Sequence, residues 1–400
     1  MIDKRYWIWL QQCLGEGAHF KEILEDFGDP QKLYESNIIE WKMSPALTIN
    51  QVEKLQKHSL EETQKIINAC RENAWSIITY DDEAYPQILK EISNPPAVLY
   101  ADGSVDGLNT LACIAIVGTR KASTYALKAS HIMAKGIAVC GGAVISGGAL
   151  GVDSAAHRGA IEGGGKTYAV LGCGLGTRYL DENVDLRNRI VECGGALISE
   201  YPPFAPATKY TFPMRNRIIS GMSLGVLIVE AGEKSGSLIT ANFASEQNRD
   251  IFAIPASIFD SNFLGTNLLI DDGATVATSP EVIISEYASR YDTLDMSKAL
   301  SVKELAKIGD DYKENTPKSD QIAFDNMPQD RAKRVQLSGR ALDLPPNEKA
   351  VYSVLGEELI GIEEIIEKSN LKLNEVLSSL TLLEMKGLIM SASGKRYKIK

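Results

Sequence analysis

Between Leu111 and Ser285, six short apolar runs alternate with helical patterns, and four of the runs end in glycine-rich loops. That alternation predicts an α/β protein: a Rossmann-like, doubly wound, mainly parallel sheet with helices on both faces. A small helical module is expected in front of it and a winged helix behind it.

The elements follow in order. Residues 1–80 show helical periodicity (Trp7, Leu10, Leu14; Ile23, Leu24, Phe27; Val52, Leu55) broken by Gly-x-Gly and Asp-Pro, which predicts several short helices. Residues 81–110 read as a connector, because each X-Pro step (Tyr85-Pro86, Asn94-Pro95-Pro96) disfavours helix, and the chain enters a strand near Val98. Residues 111–289 form the sheet domain, with strands at Ile114–Val117, Ala143–Ser146, Thr167–Leu171, Ala196–Ser199, Val226–Glu230 and Ile251–Ile254. Its helices are expected at Thr124–Val139, Val152–Ile161, Val184–Glu192 and Leu238–Asn248. Residues 290–344 are polar with mixed charge, the composition of a flexible tether. Residues 345–400 give helix, helix, helix (Glu348–Leu355, Ile362–Ser369, Leu373–Met385) and a hairpin across Ser391–Gly394, which is winged-helix order.

Composition narrows the function. With 44% hydrophobic and 24% charged residues, the 400-residue chain can bury a sizeable core and suits two or three domains. No apolar run approaches the roughly 18 residues that span a bilayer, and the N-terminus lacks a cleavage-like site, so a cytoplasmic protein is expected. The six cysteines are scattered singly, with no C-x-x-C pair and no zinc-ligand spacing, and read as buried reduced thiols. A net charge of −10 argues against a broad duplex-binding surface. Any nucleic-acid site must be local.

In an open parallel sheet, ligands sit beyond the carboxyl ends of the strands, where helix N-termini present free N–H groups. The residues after the strands are Gly118-Thr119-Arg120-Lys121-Ala122-Ser123, Gly147-Gly148-Ala149-Leu150-Gly151-Val152-Asp153, Gly172-Cys173-Gly174-Leu175-Gly176 and Ala231-Gly232-Glu233-Lys234-Ser235-Gly236-Ser237. Glycines, small hydroxyls and cations in four loops predict an anion-binding floor. The plain alternative is that the glycines permit tight turns, and it weakens as the loops accumulate.

Two motif matches fail on context, and a third motif is missing. Ala160–Thr167 fits a loose P-loop pattern but runs from helix into strand, the reverse of the phosphate-cradling order. Gly221-Met222-Ser223-Leu224-Gly225 fits the nucleophile-elbow pattern, yet a strand follows the serine rather than preceding it. The first turn lacks G-x-G-x-x-G. His157 follows Asp153 at helical spacing without a partner constellation, as a packing or helix-surface histidine would.

Taken in order, Gly118-Thr119-Arg120, Ser146–Asp153, Lys166-Thr167, Ser199-Glu200-Tyr201-Pro202-Pro203, the F-P-M-R-N-R-I-I-S-G segment Phe212–Gly221 and Ser235–Ala241 resemble the DNA-processing protein A (Smf) family. The resemblance spans the whole sheet domain, and a helical SAM-like or helix-hairpin-helix module in front with a winged helix behind is similar to arrangements in that family. It implies a cofactor-free, metal-free, non-enzymatic protein of natural transformation and recombination. Such a protein binds and protects incoming single-stranded DNA, forms a homodimer, and helps load the RecA recombinase, with weak or no duplex binding and no membrane role. The family's gripping arginine falls on Arg120 and its gripping lysine on Lys166, with Gly118, Thr119, Gly147 and Gly148 letting the strand approach the backbone. Arg215 and Arg217, in the matched F-P-M-R-N-R segment, are secondary candidates that either touch DNA or brace the pocket; Lys121, Lys234, Ser235 and Ser237 are secondary candidates too. This chain has Tyr179-Leu180-Asp181-Glu182-Asn183 where the family commonly has Tyr-Pro-x-Glu-Asn, which puts local loop shape in doubt.

Tyr168 or Tyr125 would offer a base-stacking ring, although Tyr168 alternates within a strand as a core residue does. Ile258, Phe259, Phe263, Leu264, Leu268 and Leu269 are either a self-association surface or ordinary core. The winged helix's third helix carries few cations; charge gathers at Lys395, Arg396, Lys398 and Lys400, which either dock a protein, touch a second strand or form a solvated edge, the last being favoured slightly. The competing enzyme reading is a nucleotide-binding, phosphoribohydrolase-like protein in which Gly236-Ser237 and Glu246 hold a nucleotide monophosphate, with Asp153 or Glu230 as acid or base.

Overall fold

The computed structural model describes residues 2–178, 181–307, 345–355, 360–369, 371, 373–385, 388–392 and 396–399. Residues 1–314 and 315–400 form two compact units.

The first unit begins with six helices: α1 Lys4–Leu14, α2 Phe20–Phe27, α3 Pro30–Glu35, α4 Ile38–Met43, α5 Ile49–Lys57 and α6 Leu60–Glu72. Local chemistry sets their ends. Asp29 caps α3 ahead of Pro30, whose missing N–H costs nothing in the first turn, and Asn37 with Glu40 and Thr48 with Gln51 form capping boxes. Trp7, Ile8, Leu10, Phe20, Leu33 and Val52 close their core.

Nine strands follow: β1 Ser76–Thr79, β2 Val98–Gly103, β3 Cys113–Val117, β4 Ala143–Ser146, β5 Thr167–Leu171, β6 Ala196–Ser199, β7 Gly225–Ile228, β8 Asp250–Ala253 and β9 Thr275–Val276. They make one sheet of order β1-β2-β6-β5-β4-β3-β7-β8-β9, in which β1–β2 and β2–β6 are antiparallel and all other pairs parallel. Helices α7 Thr124–Val139, α8 Val152–Glu162, α9 Val184–Glu192, α10 Thr211–Gly221, α11 Gly236–Glu246, α12 Leu264–Asp271 and α13 Pro280–Ser285 connect and follow the strands.

Period-2 alternation divides the central strands between two cores. Ala115 and Val117 of β3 join Ile145, Val170 and Val226 on one face, while Ile114 and Ile116 join Val144, Leu227 and Val229 on the other. Each fully buried aliphatic side chain contributes about 1.5–3 kcal/mol, which is why β3 is apolar throughout rather than alternating.

The doubly wound prediction holds, and the differences have physical causes. β1 lies at the end of the stretch expected to be helical, and with β2 it forms an antiparallel margin. α10 was not foreseen, because Pro213, Asn216 and two buried arginines hide its helical period. The tether expected over 290–344 lies outside the described residues from 308 onward. Its first part is anchored: Tyr291, Leu294, Met296 and Ala299 pack on the second core, and their spacing in a polar stretch was the missed signal.

The second unit contains α14 Pro346–Val354, α15 Ile362–Ser369 and α16 Leu373–Met385 around Val351, Ile365, Val376, Leu380 and Leu383. A three-stranded sheet, β10 Ile360–Gly361, β11 Ile389–Ala392 and β12 Arg396–Ile399, is ordered β10-β12-β11 and completes a winged helix. Lys395 and Lys400 lie outside the described residues; Arg396 and Lys398 are on β12.

Candidate functional site

From β3 the chain builds outward through β4, β5 and β6, then returns to the other side of β3 with β7, β8 and β9. The reversal between β3 and β7 is a topological switch point, where adjacent loops diverge and open a crevice at the carboxyl edge. Thr119 N–H donates to Glu230 O at 3.0 Å, joining the two diverging loops. Glu230, 2% exposed, accepts from the backbone N–H and hydroxyl of Ser123, both at 2.8 Å, and Ser123 in turn caps α7.

The loop after β4 rests on buried charge. Asp153 accepts from Gly147 N–H at 3.1 Å and Ala149 N–H at 3.3 Å, while Arg215 donates to Gly147 O at 2.7 Å and also to Val170 O. A Cβ at Gly147 would lie 2.6 Å from Asp153 Oδ2 and 2.7 Å from Arg215 Nη2, so glycine is required by this close approach. Gly151 has φ +78°, and a Cβ there would lie 2.5 Å from Thr119 O, which ties this loop to the loop after β3. Asn183 Nδ2 donates to Gly148 O at 3.1 Å from below, so the asparagine is in place; Leu180, which stands for the family's proline, lies outside the described residues.

Electrostatics follow from depth. Burial lowers the Arg215 pKa, with Asp153 opposing that shift and the nearby Arg120 charge adding to it. Burial likewise raises the Asp153 carboxyl despite Arg215 and the loop N–H groups. Burial also pushes His157 down to about 3, and its Nδ1 pairs with Thr167 Oγ1 at 2.8 Å, so it is a neutral packing histidine. The failed motif contexts hold too: Ser223 is buried with its hydroxyl donating to Ile219 O, and Ala160–Thr167 runs from α8 into β5.

Arg120, Lys121 and Lys234 are exposed on this edge. Ser235 caps α11 and pairs with the Ser237 hydroxyl at 2.8 Å, while Gly236 opens onto free space. The Arg120 guanidinium lies 4.8 Å from the centre of the Phe212 ring, and Lys209 lies 5.0 Å over Tyr210. Lys209, Tyr210 and Phe212 were not assigned roles from sequence. The alternation of cation and ring in Lys209-Tyr210-Thr211-Phe212 is the signal that would have found them.

Two expected contacts move elsewhere. Lys166 precedes β5, whereas Arg120 follows β3, and in parallel strands those positions lie on opposite edges of the sheet. The Lys166 side chain runs past Gly107 and Gly194 at the amino edge, so it cannot share a phosphate site with Arg120. Arg217 is fully buried and paired with Glu200 at 2.5 Å, with no face toward the crevice. Gln11 of α1 donates to Glu200 O at 2.5 Å and accepts from Val98 N–H at 2.6 Å, joining the helical region to this pair. Tyr168 is core, as its alternation implied, and Tyr125 is tied to Pro255 O at 3.0 Å. Gly236-Ser237 and Glu246 sit at opposite ends of α11, about 14 Å apart along its axis, and cannot hold one phosphate together.

Fold and loops define a Rossmann-like α/β protein with cations and aromatic rings gathered at its switch-point edge. The family model for DNA recombination-mediator protein A matches residues 76–330, and that for the DprA winged helix domain matches residues 338–395. Protein Smf of Synechocystis sp. is 30% identical over 402 residues, covering 99% of this chain and 98% of that protein. DNA processing protein DprA of Bacillus subtilis is 40% identical over 226 residues, 56% of this chain and 76% of the relative. The X-ray structure of DNA processing protein A from Streptococcus pneumoniae superposes with a TM-score of 0.61 at 32% identity, covering 72% of this chain and 99% of that one. The chain belongs to the DNA-processing protein A (Smf) family. No helix among the described residues is long and apolar enough to cross a membrane.

Proposed function

We propose that this protein binds single-stranded DNA without sequence preference at the carboxyl edge of the sheet, in DNA processing for natural transformation and recombination. The observation that carries the reading is the exposed Arg120 stacked on Phe212, with the exposed Lys209 and Tyr210 just ahead of that ring in the chain. Arg120 and Lys209 neutralise phosphates, and Gly118, Thr119, Lys121, Lys234 and Ser235 line the approach. Gly147 and Gly148, expected to let the strand reach their backbone, are instead buried, with the Gly147 N–H and both carbonyls bonded to Asp153, Arg215 and Asn183, and Ser237 is buried beside Ser235. Arg215 braces the floor from beneath. Phosphate contacts carry no base information, and the acidic net charge disfavours a duplex. Asp153 and Glu230, the groups an enzyme reading needs, are occupied by backbone N–H groups.

Fluorescence polarisation of a labelled oligothymidine tests this. Affinity is expected to fall by about 0.7 log units per log unit of salt for each phosphate contact, with duplex of equal length competing poorly. Equal affinity for duplex, or binding insensitive to salt, overturns the proposal. Nuclease-protection and RecA strand-exchange assays on the same complexes examine the protective and RecA-loading roles, which belong to the same proposal.

The homodimer is proposed on the β8–β9 side of the sheet. Ile258 and Phe259 are 83% and 93% exposed there, beside the exposed Leu264 and Leu268, whereas Phe263 and Leu269 are engaged in the cores. Phe259→Asp with Leu268→Asp is expected to sediment as a monomer at concentrations where the wild type is dimeric. An unchanged profile removes this face from the interface.

A further inference from the structure

We propose that Phe204, held by Trp75, is a second base-stacking platform, and that a bound single strand runs from Arg120 outward across the ends of β4, β5 and β6 to reach it. The proposal rests on the single-strand reading above and extends its path beyond the switch point.

Phe204 is 63% exposed, yet its position is fixed. It sits between two residues of the β6–α10 loop that are hydrogen-bonded to the loop after β5. Gly176 N–H donates to Pro203 O at 2.7 Å, and both Gly174 N–H, at 2.9 Å, and the Thr177 hydroxyl, at 2.8 Å, donate to Ala205 O. A Cβ at Gly176 would lie 2.4 Å from the Phe204 ring and 3.0 Å from Trp75 Cη2, so the backbone there closes against both aromatics. The Trp75 and Phe204 ring centres are 6.2 Å apart at 58°. A large apolar ring kept in water by a pinned, proline-flanked loop has paid its ordering cost before any ligand arrives.

The surroundings select the occupant. Arg178, two residues beyond Gly176, is exposed, as are Lys209 and Tyr210 at the end of the loop that carries Phe204. Ring and cation therefore recur together along the edge: Phe212 with Arg120, Tyr210 with Lys209, and Phe204 with Arg178 on the adjoining turn. That interleaving suits an unpaired base stacked on each ring with its phosphate beside a cation, and a paired base cannot offer its face. From β3 to β6 the edge spans three strand spacings, about 14 Å, room for more than one nucleotide.

The test is a length ladder of oligothymidines against wild type, Phe204→Ala, Phe204→Trp and Arg120→Ala. Phe204→Ala should bind the shortest oligomers normally and lose about 5- to 150-fold on longer ones, with Phe204→Trp restoring the loss and showing indole quenching on binding. On a long oligomer with abasic sites, wild type and Phe204→Ala should bind alike, since no base is left to stack. Wild-type affinity of Phe204→Ala at every length, or an equal loss on abasic DNA, overturns the platform. A change in sedimentation with DNA binding intact would also overturn it, by assigning the ring to self-association. Normal binding by Arg120→Ala at every length would instead fail the switch-point reading, whatever Phe204 does.

Discussion

Glu200→Ala should destabilise the protein by about 3–5 kcal/mol in a urea titration, because it leaves the Arg217 guanidinium buried with no counter-charge. Both side chains are essentially inaccessible to water, at 0% and 1% exposure, so neither can relax into solvent when its partner is removed. Burial pushes the Glu200 carboxyl up, and the Arg217 guanidinium opposes that shift. The double replacement Glu200→Leu with Arg217→Met is therefore expected to recover most of the loss. A single variant as stable as wild type would show that the pair is not buried in solution. Glycine-loop chemistry is untouched by either change, so single-strand affinity should persist wherever the variant remains folded.

Arg120→Ala should weaken oligothymidine binding by about 10- to 150-fold, the loss of a charge-assisted phosphate contact. Its salt dependence should flatten by about 0.7 log units per log unit. Arg120→Lys keeps the charge but not the planar fork or the stack on Phe212, and should recover part of the affinity. Lys209→Ala should follow Arg120→Ala in kind, and Lys166→Ala should bind as wild type, because its side chain is on the other edge of the sheet. An equal loss in Lys166→Ala and Arg120→Ala would contradict that separation.

The parallel sheet, its two faces and the loops beyond its strands were legible because burial on both faces demands continuous apolar runs, and tight strand-to-helix turns demand glycine. What escaped were elements whose residues serve the interior while looking polar. Arg215 and Arg217 stand in the sequence as secondary site candidates with bracing as the alternative; one supports the Gly147 loop from beneath, the other is sealed against Glu200, and together they disguised α10. Lys166 was misplaced for another reason. A family motif identifies a residue without saying which end of its strand it occupies, and β5 begins at Thr167, just after that lysine. Lys209 and Phe212 were within reach of the sequence, but their meaning depends on a ring from α10 meeting an arginine from the β3 loop, a contact between residues far apart in the chain.

Gln11 gives the helical region a history that its own compact core would not suggest. Its amide joins the Glu200 backbone carbonyl to the first N–H of β2, so a lineage that discarded α1 would leave a buried acceptor and a buried donor without a partner in one step. Loss of that region in evolution is then expected to travel with another polar side chain reaching the same two backbone groups, whichever residue stands at position 200.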